Sequence, residues 1–183
     1  PVILCTGKGL SSGYTPIAAT ITHERVYEGI YRTAKNFVHG HTYGGNPLSC
    51  AVALAVQEYV QRNELVTRCA VMGELMLAKL KPLENSPIVG EVRGKGLLLG
   101  VEFVADKATH APFDPALGVT ARVVEKAFEQ GVLIMPGAPG LVDGVAGDHI
   151  AVSPPFTISE AEIDLVVAVL QRAIGEVAAE LGR

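Results

Sequence analysis

The sequence predicts a mixed α/β chain in two parts. Residues 1–63 read as a piece of a larger α/β layer, and residues 64–183 as a small α+β domain with three helices over short strands. Three observations carry this reading. Short apolar runs bounded by glycine, such as Val2 to Cys5, have the length and composition of strands. Longer segments carry apolar residues three and four apart, the spacing of a helix face. The composition then shifts near Asn63. No repeat of solenoid period occurs.

Val2 to Cys5 is apolar and followed by glycines, so it is expected as a buried strand ending at Thr6 or Gly7. A loop then runs from Gly7 to Pro16, followed by a strand over Ile17 to Ile21 and a short helix over Glu24 to Tyr31. Residues 36–46 hold Gly40, Gly44 and Gly45 among histidines and aromatics, too glycine-rich for regular structure. Asn46 followed by Pro47 is a helix start, with Asn as N-cap and Pro where its missing N–H is of no consequence. That helix should reach about Arg62, and its first turns, LSCAVALAV, are apolar all round, which predicts burial between two layers.

A second helix is expected over Glu64 to Leu80, stopped by Pro82. Glu91 to Val104 reads as two strands around Gly94, Lys95 and Gly96, and Gly118 to Gln130 as a helix stopped by Gly131. Val132 to Met135 and Ile150 to Val152 are predicted strands, joined by a glycine- and proline-rich irregular loop. Ser159 with Glu162 forms a capping box for a last helix striped with Ile163, Val166, Val167, Leu170, Ile174 and Val177.

Of 183 residues, 49% are hydrophobic and 19% charged, which excludes intrinsic disorder. The formal charge is −4 and the basic residues are scattered, which argues against nucleic acid and acidic membrane surfaces as partners. The apolar windows are interrupted well short of the roughly 20 residues of a membrane-spanning helix. The start, PVILCTGKG, has no secretory pattern, and Cys5, Cys50 and Cys69 lack CxxC spacing. The expectation is a cytoplasmic protein with three reduced, buried thiols and no metal. Because the chain opens directly in an apolar run, it is expected to be the C-terminal part of a longer polypeptide.

Lys8 follows the first strand between two glycines. It reads either as a solvent-exposed turn lysine or as a partly desolvated amine able to attack a carbonyl, with the glycines admitting a flat ring or a phosphate to the backbone. Phosphate-loop and dinucleotide patterns fail on spacing; in GKGLSSG, Ser12 stands where the third dinucleotide glycine is required. GKGL recurs at Gly94 to Leu97, but there a strand pattern follows, so Lys95 belongs to a structural hairpin. In HGHTYGGNP, His39 and His41 have no third ligand nearby. Thr42 offers a hydroxyl close to a helix start, suited to phosphate oxygens, although a turn that merely packs its aromatics fits equally. Asp148, His149 and Ser153 lack a nucleophile elbow, and Asp148 is expected to fix a loop or cap a turn.

GKGLSSGYTPIAATI, FVHGHTYGGNPLSCAVALAV, VRGKGLLLGVEF and GDHIAVSPPFTISEAEID, in that order over nearly the whole chain, resemble the class III pyridoxal-phosphate-dependent aminotransferases. The resemblance implies the end of a fold type I large domain (1–63, with cofactor lysine, phosphate loop and buried helix) and a small C-terminal domain (64–183). It implies pyridoxal 5'-phosphate as cofactor, Lys8 as the Schiff-base lysine and proton shuttle, and Thr42 reaching the cofactor phosphate of the neighbouring subunit of a homodimer. His41 occupies the adjacent phosphate-loop position, contributing through its backbone. The acidic partner of the pyridine nitrogen, the ring-stacking aromatic and the subunit's own phosphate loop are implied to lie upstream, in roughly one additional domain.

One departure bears on substrate. Relatives that grip an α-carboxylate place an Arg a few residues before the Pro pair, where this chain has Ala151, and amine-type members commonly place one near Ala146. No Arg occurs between Arg122 and Arg172, so this stretch supplies no planar guanidinium fork for a carboxylate. The expected reaction is transamination between an amine or ω-amino acid and a keto acid. Aminomutase, racemase or decarboxylase chemistry would use the same lysine, and a noncatalytic oligomerisation module is the rival from another class.

Overall fold

A computed structural model describes residues 1–138 and 140–183. The chain divides into two units, Pro1–Glu64 and Leu65–Arg183.

In the first unit, strands β1 (Ile3–Thr6) and β2 (Ala19–Thr22) form an antiparallel pair with Ile3 opposite Thr22 and Thr6 opposite Ala19. Helix α1 (Glu24–Ala34) is started by the His23 imidazole, whose Nδ1 accepts from the Arg25 amide. It stops at Lys35, which has φ 57°. Helix α2 (Pro47–Arg62) begins as expected, with Asn46 Oδ1 accepting from the amides of Leu48 at 3.0 Å and Ser49 at 3.1 Å.

Burial in this unit departs from the expectation. Ile3 is 55% exposed, and α2 buries only Ala53 while Leu48 stays 74% exposed. A two-stranded ladder offers no second layer for these faces. Cys5 and Cys50 are exposed for the same reason, Cys69 is half-buried, and all three are free, which corrects the reading of three buried thiols.

The second unit has a conventional core. Helix α3 (Leu65–Leu80) passes through a short 3-10 turn (Lys81–Asn85) into strands β3 (Val89–Lys95) and β4 (Leu98–Phe103). Helix α4 (Val119–Glu129), strands β5 (Met135–Pro136) and β6 (Asp148–Val152), and helix α5 (Glu160–Glu180) complete it. The sheet is antiparallel in the order β3-β4-β6-β5, with a bulge in β3 between Val89 and Glu91. Alternation along the strands sends Val92, Val101 and Ile150 to the core, where they meet Met76 and Leu80 of α3 and Leu170 and Ile174 of α5. The opposite face carries Glu91, Arg93, Glu102 and His149. No described helix is long and apolar enough to cross a membrane.

Several local expectations are met. Both halves of the Ser159–Glu162 capping box are present at the start of α5. Lys95 pairs with Leu98 around a two-residue turn whose first position, Gly96, has φ 55°, the conformation that tight hairpins demand. The hairpin tip seats on α3, where the Leu97 amide donates to Cys69 Sγ at 3.4 Å. Asp148 does cap a turn: its Oδ1 accepts from the Thr120 amide at 2.8 Å and the Thr120 hydroxyl at 2.7 Å, satisfying the start of α4 where Gly118 has no side chain to do so.

The strand expected over Val132 to Met135 shrinks to two residues. The Val132 amide is still bonded to the Ala127 carbonyl at 3.0 Å, and Pro136 has no N–H to extend the ladder. In the following loop, Val142 and Ala146 close a small antiparallel bridge, and residue 139 lies outside the described residues.

Two outcomes follow from the packing. A Cβ on Gly73 would stand 2.3 Å from the Gly96 carbonyl carbon and oxygen. Gly73→Ala is therefore expected to destabilise the second unit by about 1–3 kcal/mol, read as a lower urea midpoint; an unchanged midpoint would mean that the hairpin tip yields freely. Glu180 of α5 accepts from Lys126 at 2.7 Å and from Arg122, both of α4, and first Lys126 and then Arg122 hold its carboxyl below the ordinary carboxylate range. A group whose folded pKa is depressed stabilises above its unfolded pKa and ceases to do so as pH falls through the folded value. The difference in Tm between the parent and Glu180→Gln should thus shrink on acidification through the carboxylate range, whereas a pH-independent difference would assign Glu180 to packing alone.

Candidate active site

The loop that follows β1 carries Lys8 on a single 3-10 turn, Lys8–Leu10. Its backbone is left-handed, with φ 45°, a conformation that costs a non-glycine residue about 1–2 kcal/mol. The turn is closed by the Leu10 amide donating to the Gly7 carbonyl at 2.9 Å. Lys8 is exposed. A side chain on Gly9 would meet nothing within 4 Å, so the backbone beside Lys8 is open to a flat ligand.

Side-chain contacts from Gln57 and Ser49 lay this loop along α2, and a third within the loop tightens it. Gln57 Nε2 donates to the carbonyls of Leu10 at 3.0 Å and Gly9 at 3.4 Å. The Ser11 hydroxyl, 2% exposed, donates to the Thr15 carbonyl at 2.7 Å. The hydroxyls of Thr15 and Ser49 share a hydrogen bond of 2.9 Å. The Lys8 end of the loop therefore lies by Gln57, and the Thr15 end by the first turn of the helix.

His41 and Thr42 lie on the exposed loop that leads into α2. Phe37, His39 and His41 form an edge-to-face ladder with ring centroids 5.7 and 5.0 Å apart. The Gly44 amide donates to the His41 carbonyl at 2.9 Å and the Asn46 amide to that of Tyr43 at 3.1 Å, so this stretch is a pair of tight turns. The Thr42 hydroxyl has no hydrogen-bond partner among the described residues. The helix start is not free for an anion, since Asn46 Oδ1 occupies the amides of Leu48 and Ser49 and Pro47 has none. A phosphate here would be met by the Thr42 hydroxyl and loop amides instead.

No hydrogen bond links Lys8 and Thr42 among the described residues. Gln57, which holds the lysine turn, lies about 15 Å along the helix axis from Pro47, at 1.5 Å per residue. The Gln57 and Thr15–Ser49 contacts escaped sequence reasoning; Gln57 stands out only as the first polar residue after the apolar run Leu48–Val56 of α2.

The second unit contains Ala146 and Ala151, the two alanines at the positions where relatives are expected to carry an Arg. Ala146 is in the small bridge after β5, and Ala151 lies in β6 opposite Gly100 and Met135. Ala151 lines a groove of about 430 Å³ with Met76, Val132, Met135, Pro154 and Val166, and no guanidinium is among its lining residues. Lys95, the lysine of the second GKGL, ends β3 in the hairpin.

Comparison with known proteins fits this arrangement to a class of enzyme. The model of the aminotransferase class-III family matches residues 1–174, and the chain belongs to that family. An aminotransferase of Bacillus subtilis, YodT, is 38% identical over 97% of this chain, which corresponds to 40% of that protein. An amine transaminase from an uncultivated Pseudomonas species, solved in its PLP-bound internal aldimine form, superposes with TM-score 0.87 at 38% identity over 96% of this chain and 38% of that one. A transaminase from the marine bacterium Virgibacillus gives TM-score 0.91 at 32% identity over 99% of this chain and 40% of that one. The chain thus spans about 40% of the length of the relatives it matches. The cofactor of the family is pyridoxal phosphate.

Proposed function

We propose that the protein transfers the amino group of an amine or ω-amino acid to a keto acid, with Lys8 as the cofactor lysine. The observation that carries this reading is the placement of Lys8. In a chain of this family, it is an exposed primary amine beside open glycine backbone, on a left-handed turn fastened to α2.

Bound pyridoxal phosphate supplies an aldehyde for covalent capture of amines and an electron sink for the pair left when a proton departs the amine-bearing carbon. Lys8 Nζ is the point of attachment. Once released as a neutral amine, it takes the proton from the donor carbon as a base and redelivers it as an acid. The Thr42 hydroxyl donates to a phosphate oxygen, and His41 contributes backbone from the same turn. In this reading Thr42 serves the site of a second subunit in a homodimer, which membership of the family supports.

The donor assignment is supported by the apolar lining of the groove beside Ala151 and by the absence of Arg between Arg122 and Arg172, which leaves that stretch without a bidentate clamp. A relative named as an amine transaminase points the same way.

Reduction of the pyridoxal-phosphate-loaded protein with borohydride, followed by peptide mapping, should find the pyridoxyl group on Lys8; an adduct on another lysine, or none, overturns the reading. Lys8→Ala should abolish transamination in a protein that remains folded. Thr42→Ala should weaken cofactor retention roughly tenfold, the size of one hydrogen bond to a charged group, and unchanged retention removes Thr42 from the site. Turnover without added keto acid would indicate mutase, racemase or decarboxylase chemistry instead.

A further inference from the structure

We propose that Gln57 is a positioning residue that holds Lys8 in its working orientation through the backbone of the lysine turn. The proposal rests on Lys8 being the cofactor lysine. The turn has little to hold it by itself. It spans three residues and is flanked on one side and interrupted on the other by Gly7 and Gly9. Of its own hydrogen bonds, Leu10 to Gly7 is short at 2.9 Å, while Ser11 to Lys8 and Ser12 to Gly9 are both 3.3 Å. Lys8 and Ser12 are both left-handed, with φ 45° and 49°, a region that side chains disfavour and that relaxes unless neighbours hold it.

The Gln57 carboxamide has two N–H groups on one nitrogen, and it faces the carbonyls of the two residues that follow Lys8, Leu10 at 3.0 Å and Gly9 at 3.4 Å. The other fastenings, Ser11 to Thr15 and Thr15 to Ser49, secure residues 11–15 and leave the Lys8 end to Gln57. Gln57 is itself exposed on α2, so its side chain contributes little to a core. It is uncharged, so it acts on where the amine sits rather than on the field around it. Without it, the turn should spend a smaller fraction of its time in the conformation that presents Nζ.

The test uses the full-length protein, first freed of cofactor and then mixed with pyridoxal phosphate. Covalent attachment to Lys8 is sampled by borohydride quench and intact mass across a range of pH, with thermal midpoints measured in parallel. Gln57→Leu, which removes both donors, should slow attachment about tenfold at every pH with little change in midpoint, the effect of one or two neutral hydrogen bonds. Gln57→Glu, of the same length but turning carboxylate oxygens toward the carbonyls, should slow it further. Gln57→Arg, which restores N–H donors, should recover most of the rate. Attachment by Gln57→Leu at the parental rate overturns the proposal, as does a loss that Gln57→Arg does not recover or that only tracks a lowered midpoint. Failure of the parent protein to attach cofactor at Lys8 overturns the Lys8 reading instead.

Discussion

Helix α2 sets the distances on which the candidate site depends. It is a rigid rod of sixteen residues, begun by the Asn46 cap and gripping the lysine loop at Ser49 and again at Gln57. The loop bearing Thr42 feeds into the N-terminal end of this rod, and the turn bearing Lys8 is fastened at Gln57, ten residues beyond Pro47. Helix rise therefore sets the spacing between the two points at which the lysine loop is held.

The second unit is governed by a different constraint, the close approach of backbones. Gly73 in α3 and Gly96 in the β3–β4 hairpin let helix and turn meet with no side chain between them. A second close approach occurs where a Cβ on Gly137 would stand 2.1 Å from the His149 ring. The sheet face bearing Val92, Val101 and Ile150 packs on α3 and α5, and the groove beside Ala151 is lined by Met76 of α3 and by Ala151 and Val152 of β6. The same GKGL tetrapeptide thus serves two physical ends in one chain. At Lys8 it leaves the backbone uncovered, and at Lys95 it lets a strand reverse.

Much of this was legible in the residues. Asn46-Pro47, the Ser159–Glu162 box and the glycines around Lys95 name their own local structures, because capping and turn chemistry act over a few positions. Burial in the first unit was not legible: an apolar strand such as β1 or an all-apolar stretch such as LSCAVALAV shows only that something should cover it. Bonds across long stretches of chain were equally hidden. Nothing near Gln57 indicates that its partners are Gly9 and Leu10, and the cap on α4 comes from Asp148, on a strand that follows the helix.

The two edges of the sheet in the second unit carry a further consequence. On one side, β3 is broken by a bulge at Gly90; on the other, β5 is two residues long and ends in Pro136. Neither edge offers a flat, regular row of free amides and carbonyls. A partly unfolded copy therefore finds no regular template on which to add a strand, and a unit rich in valine and isoleucine is protected from runaway edge-to-edge assembly.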